Sequence, residues 1–307
     1  MAIIKIHDIG YVRFRAPDLD QMEAFLTDFG LVRAGRETDR LYMRGTGDSP
    51  YCHVTEPGAP AFLGIGLRAA SERDVERLAR AEHVEVAAQD GPGGGSCVRL
   101  TDPGGFTIEV FAGGRKSKPL PAKPAAIVNT AQDKPRSGRL TVTQGPAEVK
   151  RLGHCVIECK DFRESEAWYK ERFGFLSSDE IYMDGVEGLI GAFMRVDRGR
   201  QPVDHHTLVL LQMGRPGFGH AAFEVTDVNA VMAGHDHMKK AGHRHSWGIG
   251  RHILGSQIFD YWRDPWGNQL EHWTDGDMLP ADAPAGRHPV NKLIETQWGP
   301  HLDLQHN

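Results

Sequence analysis

The chain has 307 residues, a net charge of −5 at neutral pH and a pI near 6.3, with 40% apolar and 25% charged residues. This balance predicts a folded chain with a sizeable core and room for about two domains. It lacks the basic excess that a nucleic-acid partner requires, and no apolar run approaches the roughly 20 residues that span a bilayer. The opening MAIIKIHDIGYVRF breaks its apolar residues with charges and does not read as a secretory leader. Four scattered cysteines, Cys52, Cys97, Cys155 and Cys159, form no C-x-x-C pair, so free thiols in a reducing cytoplasm are expected. The unusual count is 16 histidines, of which only His7, His53 and His83 precede residue 149. Metal or acid/base chemistry in the second half is the first expectation.

In chain order, residues 1–114 read as one module, 115–148 as a Pro- and Lys-rich linker with little periodicity, 149–275 as a second module and 276–307 as a tail with little regular pattern. The two modules repeat. Ile9-Gly10-Tyr11 aligns with Leu152-Gly153-His154, Asp18 with Asp161, and Phe29-Gly30 with Phe173-Gly174. Near each end stands D-P-x-G-x-x-x-E, as Asp102 to Glu109 and Asp264 to Glu271. The spacing predicts duplication of one unit, the second copy being longer by about 19 residues between these anchors.

Within the second module, residues 154–159 read as a strand. Residues 161–172 read as a helix capped by Asp161 and ended at Phe173-Gly174. Strands are predicted over 191–196, 207–211 and 219–225, a helix over 227–241, and a final hairpin from 257–263 and 268–273 turned by Asp264-Pro265-Trp266-Gly267. This is an α+β pattern of βαβββ units.

Strand placement brings three metal-binding side chains into question together: His154 on the first strand, His220 on the strand that opens the module's second half, and Glu271 on the last. Two histidines and one carboxylate on one face leave three positions of an octahedral ion open, as in non-heme Fe(II) oxygenases, whereas a structural zinc site closes its coordination. The repeat is an internal control. Tyr11 stands at the His154 position and Gly64 near the His220 position, so the first module keeps only Glu109. Residue spacing reaches no further than an open two-His, one-carboxylate site.

The segments LGHCVIECKD, GHAAFEV and YWRDPWGNQLEHW resemble those of the type I extradiol ring-cleavage dioxygenases of the vicinal oxygen chelate superfamily. The resemblance spans nearly the whole chain and implies two tandem modules of paired βαβββ units with the metal in the second. It implies Fe(II), occasionally Mn(II), on His154, His220 and Glu271. It further implies His206 of the Asp204-His205-His206-Thr207-Leu208 run as the acid/base group, with His252 and Tyr261 hydrogen-bonding the substrate. The implied reaction is O₂-dependent cleavage of a catechol beside its diol, giving a ring-opened semialdehyde in aromatic degradation, by a homo-oligomer. Two positions depart from the family pattern: Asp260 replaces an apolar residue before Tyr261, and Gly255 replaces an Asp common in biphenyl-diol enzymes.

Of the remaining residues, alternation along a strand lets only one of His205 and His206 face inward, and His206 is the choice. His235, His237, His243 and His245 are expected to face solvent, and His272 to turn away from the metal. Trp247, Phe193 and Trp273 are possible pocket walls, and the tail a possible cover. A glyoxalase-like isomerase and a non-catalytic binding protein of the same superfamily are the alternatives.

Overall fold

The computed structural model describes residues 2–302; Met1 of the first module and residues 303–307 of the tail, which include His306, lie outside the described residues. Each half is a βαβββ unit used twice, as the resemblance implies. Residues 6–112 form an eight-stranded sheet in the spatial order Val32–Arg36, Leu41–Arg44, His53–Pro57, Ile6–Ala16, Ala61–Ala69, Thr107–Ala112, Ser96–Thr101, Ala87–Ala88. The second half repeats that order with Leu176–Tyr182, Leu189–Arg195, Leu208–Gln212, Val149–Cys159, Gly217–Val225, Gln269–Thr274, Ile258–Arg263 and Arg244–His252. Between Ala112 and Val149 there is no helix or strand.

The helices form where the sequence caps them. Asp161 accepts the backbone N–H of Glu164 at the start of Phe162–Phe173, and Gly174 closes that helix at φ 71°, a left-handed turn that suits glycine. Asp227 caps Val228–Lys240 in the same way. The repeated D-P-x-G motif is a turn device. Asp102 Oδ1 accepts Phe106 N at 2.8 Å, and Asp264 Oδ1 accepts Trp266 N and Asn268 N, each at 2.9 Å.

Two sequence expectations fail here. Leu176–Tyr182 and Arg244–His252 are strands that the pattern did not show, because half-buried polar residues break their alternation. The tail is also not irregular. Gly286–Pro289 pairs with Leu176–Tyr182, and Thr296–Trp298 pairs with Arg244–His252, so the tail adds a strand to both edges of the second sheet. Edge pairing satisfies backbone groups without any side-chain periodicity, which is why composition did not reveal it.

One apolar core runs through both halves. Phe62 stacks on Phe218 with ring centroids 4.6 Å apart, Phe29 lies edge-on to Phe223, and the Tyr169 hydroxyl donates to Asp102 Oδ2 at 2.9 Å in the interior. All four cysteines are free and buried. No described helix is long and apolar enough to cross a membrane.

Candidate active site

The register of three adjacent strands brings the ligand candidates together. His154 on Val149–Cys159 pairs across the ladder with Ala222 on Gly217–Val225, and Ala222 pairs on its other side with Glu271. His220 lies two residues before Ala222 and shares its face. The small Ala222 side chain leaves the centre open. His154 Nε2, His220 Nε2 and Glu271 Oε2 then lie 3.2, 3.2 and 3.3 Å from one another.

The first module has the same register with different chemistry. Tyr11 pairs with Gly66, Gly66 with Glu109, and Arg13 with Gly64, so Tyr11, Gly64 and Glu109 are the exact structural counterparts of His154, His220 and Glu271. The Tyr11 hydroxyl donates to Glu109 Oε2 at 2.6 Å, and Arg13 and Arg99 donate to Oε1 at 2.8 and 2.7 Å. A Cβ on Gly66 would sit 2.3 Å from the Tyr11 ring, so glycine there admits the tyrosine. Glu109 is thus consumed by two guanidinium groups and a phenol.

In the second module Glu271 has no such partners. It is fully buried, and neither carboxylate oxygen has a partner in hydrogen-bond geometry. Burial alone would raise its pKa, yet His154, His220 and His252 around it hold the carboxyl well below the usual range. Burial pushes the His154 imidazole down, so it is kept neutral and its lone pair is available. A buried anion with unsatisfied oxygens beside two imidazole nitrogens fits a divalent cation. An octahedral ion with bonds of ~2.1 Å has edges of about 3.0 Å, close to the triangle observed. The donor set is borderline in softness and suits Fe(II), Mn(II) or Zn(II) alike.

Above the triangle is a cavity of 330 Å³. His206 lines it and packs against His154, with ring centroids 4.0 Å apart. Tyr261 packs edge-on to His220 and shares a 3.0 Å hydrogen bond with His252 Nε2. The structure therefore brings all six expected residues to one place. Burial, followed by the neighbouring His154 and His205, drives the His206 pKa well below its ordinary value. Burial and Glu271 drive the Tyr261 phenol well above its own, so it stays protonated. Phe193 and Trp247 line the cavity as expected, whereas Trp273 does not; it packs against Gly153 on the strand face that carries Glu271, its ring centroid 6.2 Å from that of His154.

Several residues escaped the sequence reading. His205 and His206 precede the strand Leu208–Gln212 rather than lying in it, so alternation does not apply, and both are buried. His205 Nε2 lies 2.9 Å from Asp179 Oδ2, Asp179 Oδ1 lies 3.0 Å from His288 Nε2, and His205 Nδ1 lies 3.0 Å from His206 Nδ1. The carboxylate only accepts, so a neutral His205 donates from Nε2 and accepts at Nδ1. His206 then donates from Nδ1 and keeps the Nε2 lone pair free. Gly255 lies beside this chain, and a Cβ there would come 3.0 Å from His205 Nδ1. The His205 ring occupies the space that a longer residue at 255 would need.

The tail also reaches the site. Lys292, Leu293, Ile294 and Leu302 line the cavity, and the Trp247 indole donates to the Pro300 carbonyl at 2.7 Å. The buried Arg195 guanidinium holds the tail's path through the carbonyls of Pro280, Ala281 and Ala283. No motif marks these residues; only the folded path of the tail places them.

The histidines expected at the surface are not idle. His237 and His243 bracket Asp28 of the first module, His235 and His245 bracket Asp260, and His272 stacks on Phe29 and donates to its carbonyl at 2.6 Å. His272 does turn away from the His154–His220–Glu271 triangle. The partners come from distant sequence, which hid them.

A family profile described as "Glyoxalase/Bleomycin resistance protein/Dioxygenase superfamily" matches residues 151–272. The chain is 30% identical over 304 residues to "Metapyrocatechase 2" of Cupriavidus necator, covering 97% of this chain and 90% of that one. The chain belongs to the extradiol ring-cleavage dioxygenases. This dioxygenase is also 25% identical over 318 residues to the "Iron-dependent extradiol dioxygenase" of Rhodococcus jostii, covering 96% and 97% of the two chains. Its fold superposes on the Mn(II)-bound glyoxalase of Novosphingobium aromaticivorans with a TM-score of 0.78 at 23% identity, covering 98% and 97% of the chains. That likeness is one of fold.

Proposed function

We propose that this enzyme binds Fe(II) through His154, His220 and Glu271 and opens a catechol ring beside its diol with O₂. The observation that carries this reading is the open triangle of three donors beneath a cavity flanked by His206 on one ligand and Tyr261 on another. Iron is chosen over manganese because the relative from Rhodococcus jostii is named iron-dependent. Fe(II) held by His154, His220 and Glu271 would bind diol and O₂ together and supply the redox chemistry between them.

The protein's own groups handle protons and water. His206 Nε2, freed by the bond at Nδ1, takes a proton from a diol hydroxyl and returns it to the opened ring. The Tyr261 hydroxyl, kept protonated, donates to the other side of the substrate, and His252 fixes its direction. Val209, Leu211, Leu254, Leu293 and Ile294 wall the cavity and exclude water. Among the described lining residues the sole long cation is Lys292, which pairs with Glu295. An alkyl- or aryl-substituted catechol therefore fits this cavity better than a catechol carrying a carboxylate.

The test is anaerobic loading with Fe(II), then addition of catechols with and without O₂. A yellow ring-opened product that forms only with O₂, and is lost in His154→Ala, is expected. Product formation without O₂, or isomerisation of a glutathione hemithioacetal, would replace this reading with the glyoxalase one.

A further inference from the structure

Asp260, whose presence breaks the family pattern, lies on the opposite strand face from Tyr261, beneath the helix Val228–Lys240. It is fully buried. Two imidazoles converge on it from different elements. His245 Nε2, on the strand Arg244–His252, lies 2.8 Å from Oδ1; His235 Nδ1, on the helix, lies 3.2 Å from Oδ1 and 3.1 Å from Oδ2. The Trp262 indole N–H donates to Oδ2 at 2.6 Å, which orients the carboxylate.

The neighbouring Asp28 is a useful contrast. It is bracketed by His237 at Oδ1 and His243 at Oδ2, one imidazole to each oxygen, and it is half-exposed. That arrangement is a clamp, with no shared centre. At Asp260 one oxygen, Oδ1, lies within 3.2 Å of both imidazoles, His235 being shared between Oδ1 and Oδ2, and all three donor atoms lie within 4.8 Å of one another. Among the described residues no lysine or arginine pairs with Asp260. A buried carboxylate needs compensating partners, and here they are the two imidazoles and the Trp262 indole N–H. Both remain reachable from solvent, with 15% and 30% of their side-chain surface exposed.

We propose that His235, His245 and Asp260 form a second divalent-cation site, of zinc type, separate from the catalytic triangle. Two imidazole nitrogens and one carboxylate oxygen, completed by water, are a donor set that zinc accepts. A tetrahedral ion with bonds of ~2.0 Å has edges of about 3.3 Å, so the ion enters by widening the present contacts by a few tenths of an ångström. Its place ties the helix to the strand pair that carries Tyr261 and His252 on its other face. The role is structural, since no face of the ion opens on the cavity.

The test uses the iron-loaded enzyme, dialysed against Zn(II) or Co(II), with metal content and the visible Co(II) spectrum as readouts. The expected result is one further ion per chain, an intense tetrahedral Co(II) band and a raised Tm. His235→Gln should lose the extra ion, the band and the Tm rise, while keeping its iron and ring cleavage. If that variant folds poorly, His245→Gln provides the same comparison. A wild-type enzyme that takes up no ion beyond the iron, or variants that take up as much as wild type, would overturn the proposal.

Discussion

Asp179→Asn probes the hydrogen-bond chain behind His206 without changing its size. The carboxylate accepts from His205 Nε2 at 2.9 Å and from His288 Nε2 at 3.0 Å, and it is buried. An amide offers one accepting oxygen and one donating nitrogen. If the nitrogen faces His205, two donors meet, and His205 relieves the clash by inverting its tautomer. Its Nδ1 then donates to His206 Nδ1, and the His206 proton moves to Nε2, where the mechanism needs a free lone pair. A charge-assisted hydrogen bond is worth ~1.5–3 kcal/mol. With ~1.4 kcal/mol per factor of ten, kcat should fall roughly 10- to 150-fold. The His154–His220–Glu271 triangle and the apolar walls are untouched, so metal content and KM should stay within a few-fold of wild type. The assay is steady-state ring opening, followed by absorbance of the product at equal iron loading, with His288→Gln as a milder companion. A kcat within twofold of wild type would refute the reasoning. A loss confined to KM would show that Asp179 shapes the cavity instead.

Glu271→Gln keeps the shape of the third ligand and removes its charge. Iron affinity, measured by metal content after dialysis, should drop by more than the ~10–100-fold that loss of an outer partner costs. Removing residues 290–307 keeps the His288–Asp179 contact but strips Lys292, Leu293, Ile294 and Leu302 from the cavity. KM for an apolar catechol should rise, and an unchanged KM would show that the tail does not bear on substrate. Acid stability has a defined sign. Burial lowers His53 to about 3 and His272 to about 4, both below the ordinary 6.5. The unfolded chain therefore binds protons that the folded one refuses, and stability is lost as pH falls below 6.5. At ~1.4 kcal/mol per pKa unit, His272 alone costs on the order of 3 kcal/mol by pH 4. His53→Asn and His272→Asn should each reduce proton uptake on unfolding by about one between pH 4 and 6.5, as measured from urea melts across that range.

The legible part of the site was set by repetition. Matching Tyr11 with His154 and Gly64 with His220 separated an open His–His–Glu triangle from one that lacks both histidines, and the ladder register reproduces that alignment residue for residue. The reason is physical. A duplicated βαβββ unit keeps its strand pairing, so corresponding sequence positions remain corresponding places on the sheet. The same regularity made the paired units, the helix caps and the D-P-x-G turns readable, because each depends on residues within a few positions of one another.

What local spacing does not carry is the partner of a polar side chain. Asp179 reaches His205 and His288 from 26 and 109 residues away, His237 reaches Asp28 across 209, and His272 finds the Phe29 carbonyl across 243. Thus eight histidines outside the expected site prove hydrogen-bonded. The tail's two edge strands are bound through backbone groups that every residue owns, so no composition marks them. The sequence by itself determined the duplicated unit and the meeting of His154, His220 and Glu271, since both follow from period and register. Only the tertiary structure decided how His206 is oriented, what closes the cavity and where Asp260 finds its histidines, since these depend on contacts between segments that meet only after folding.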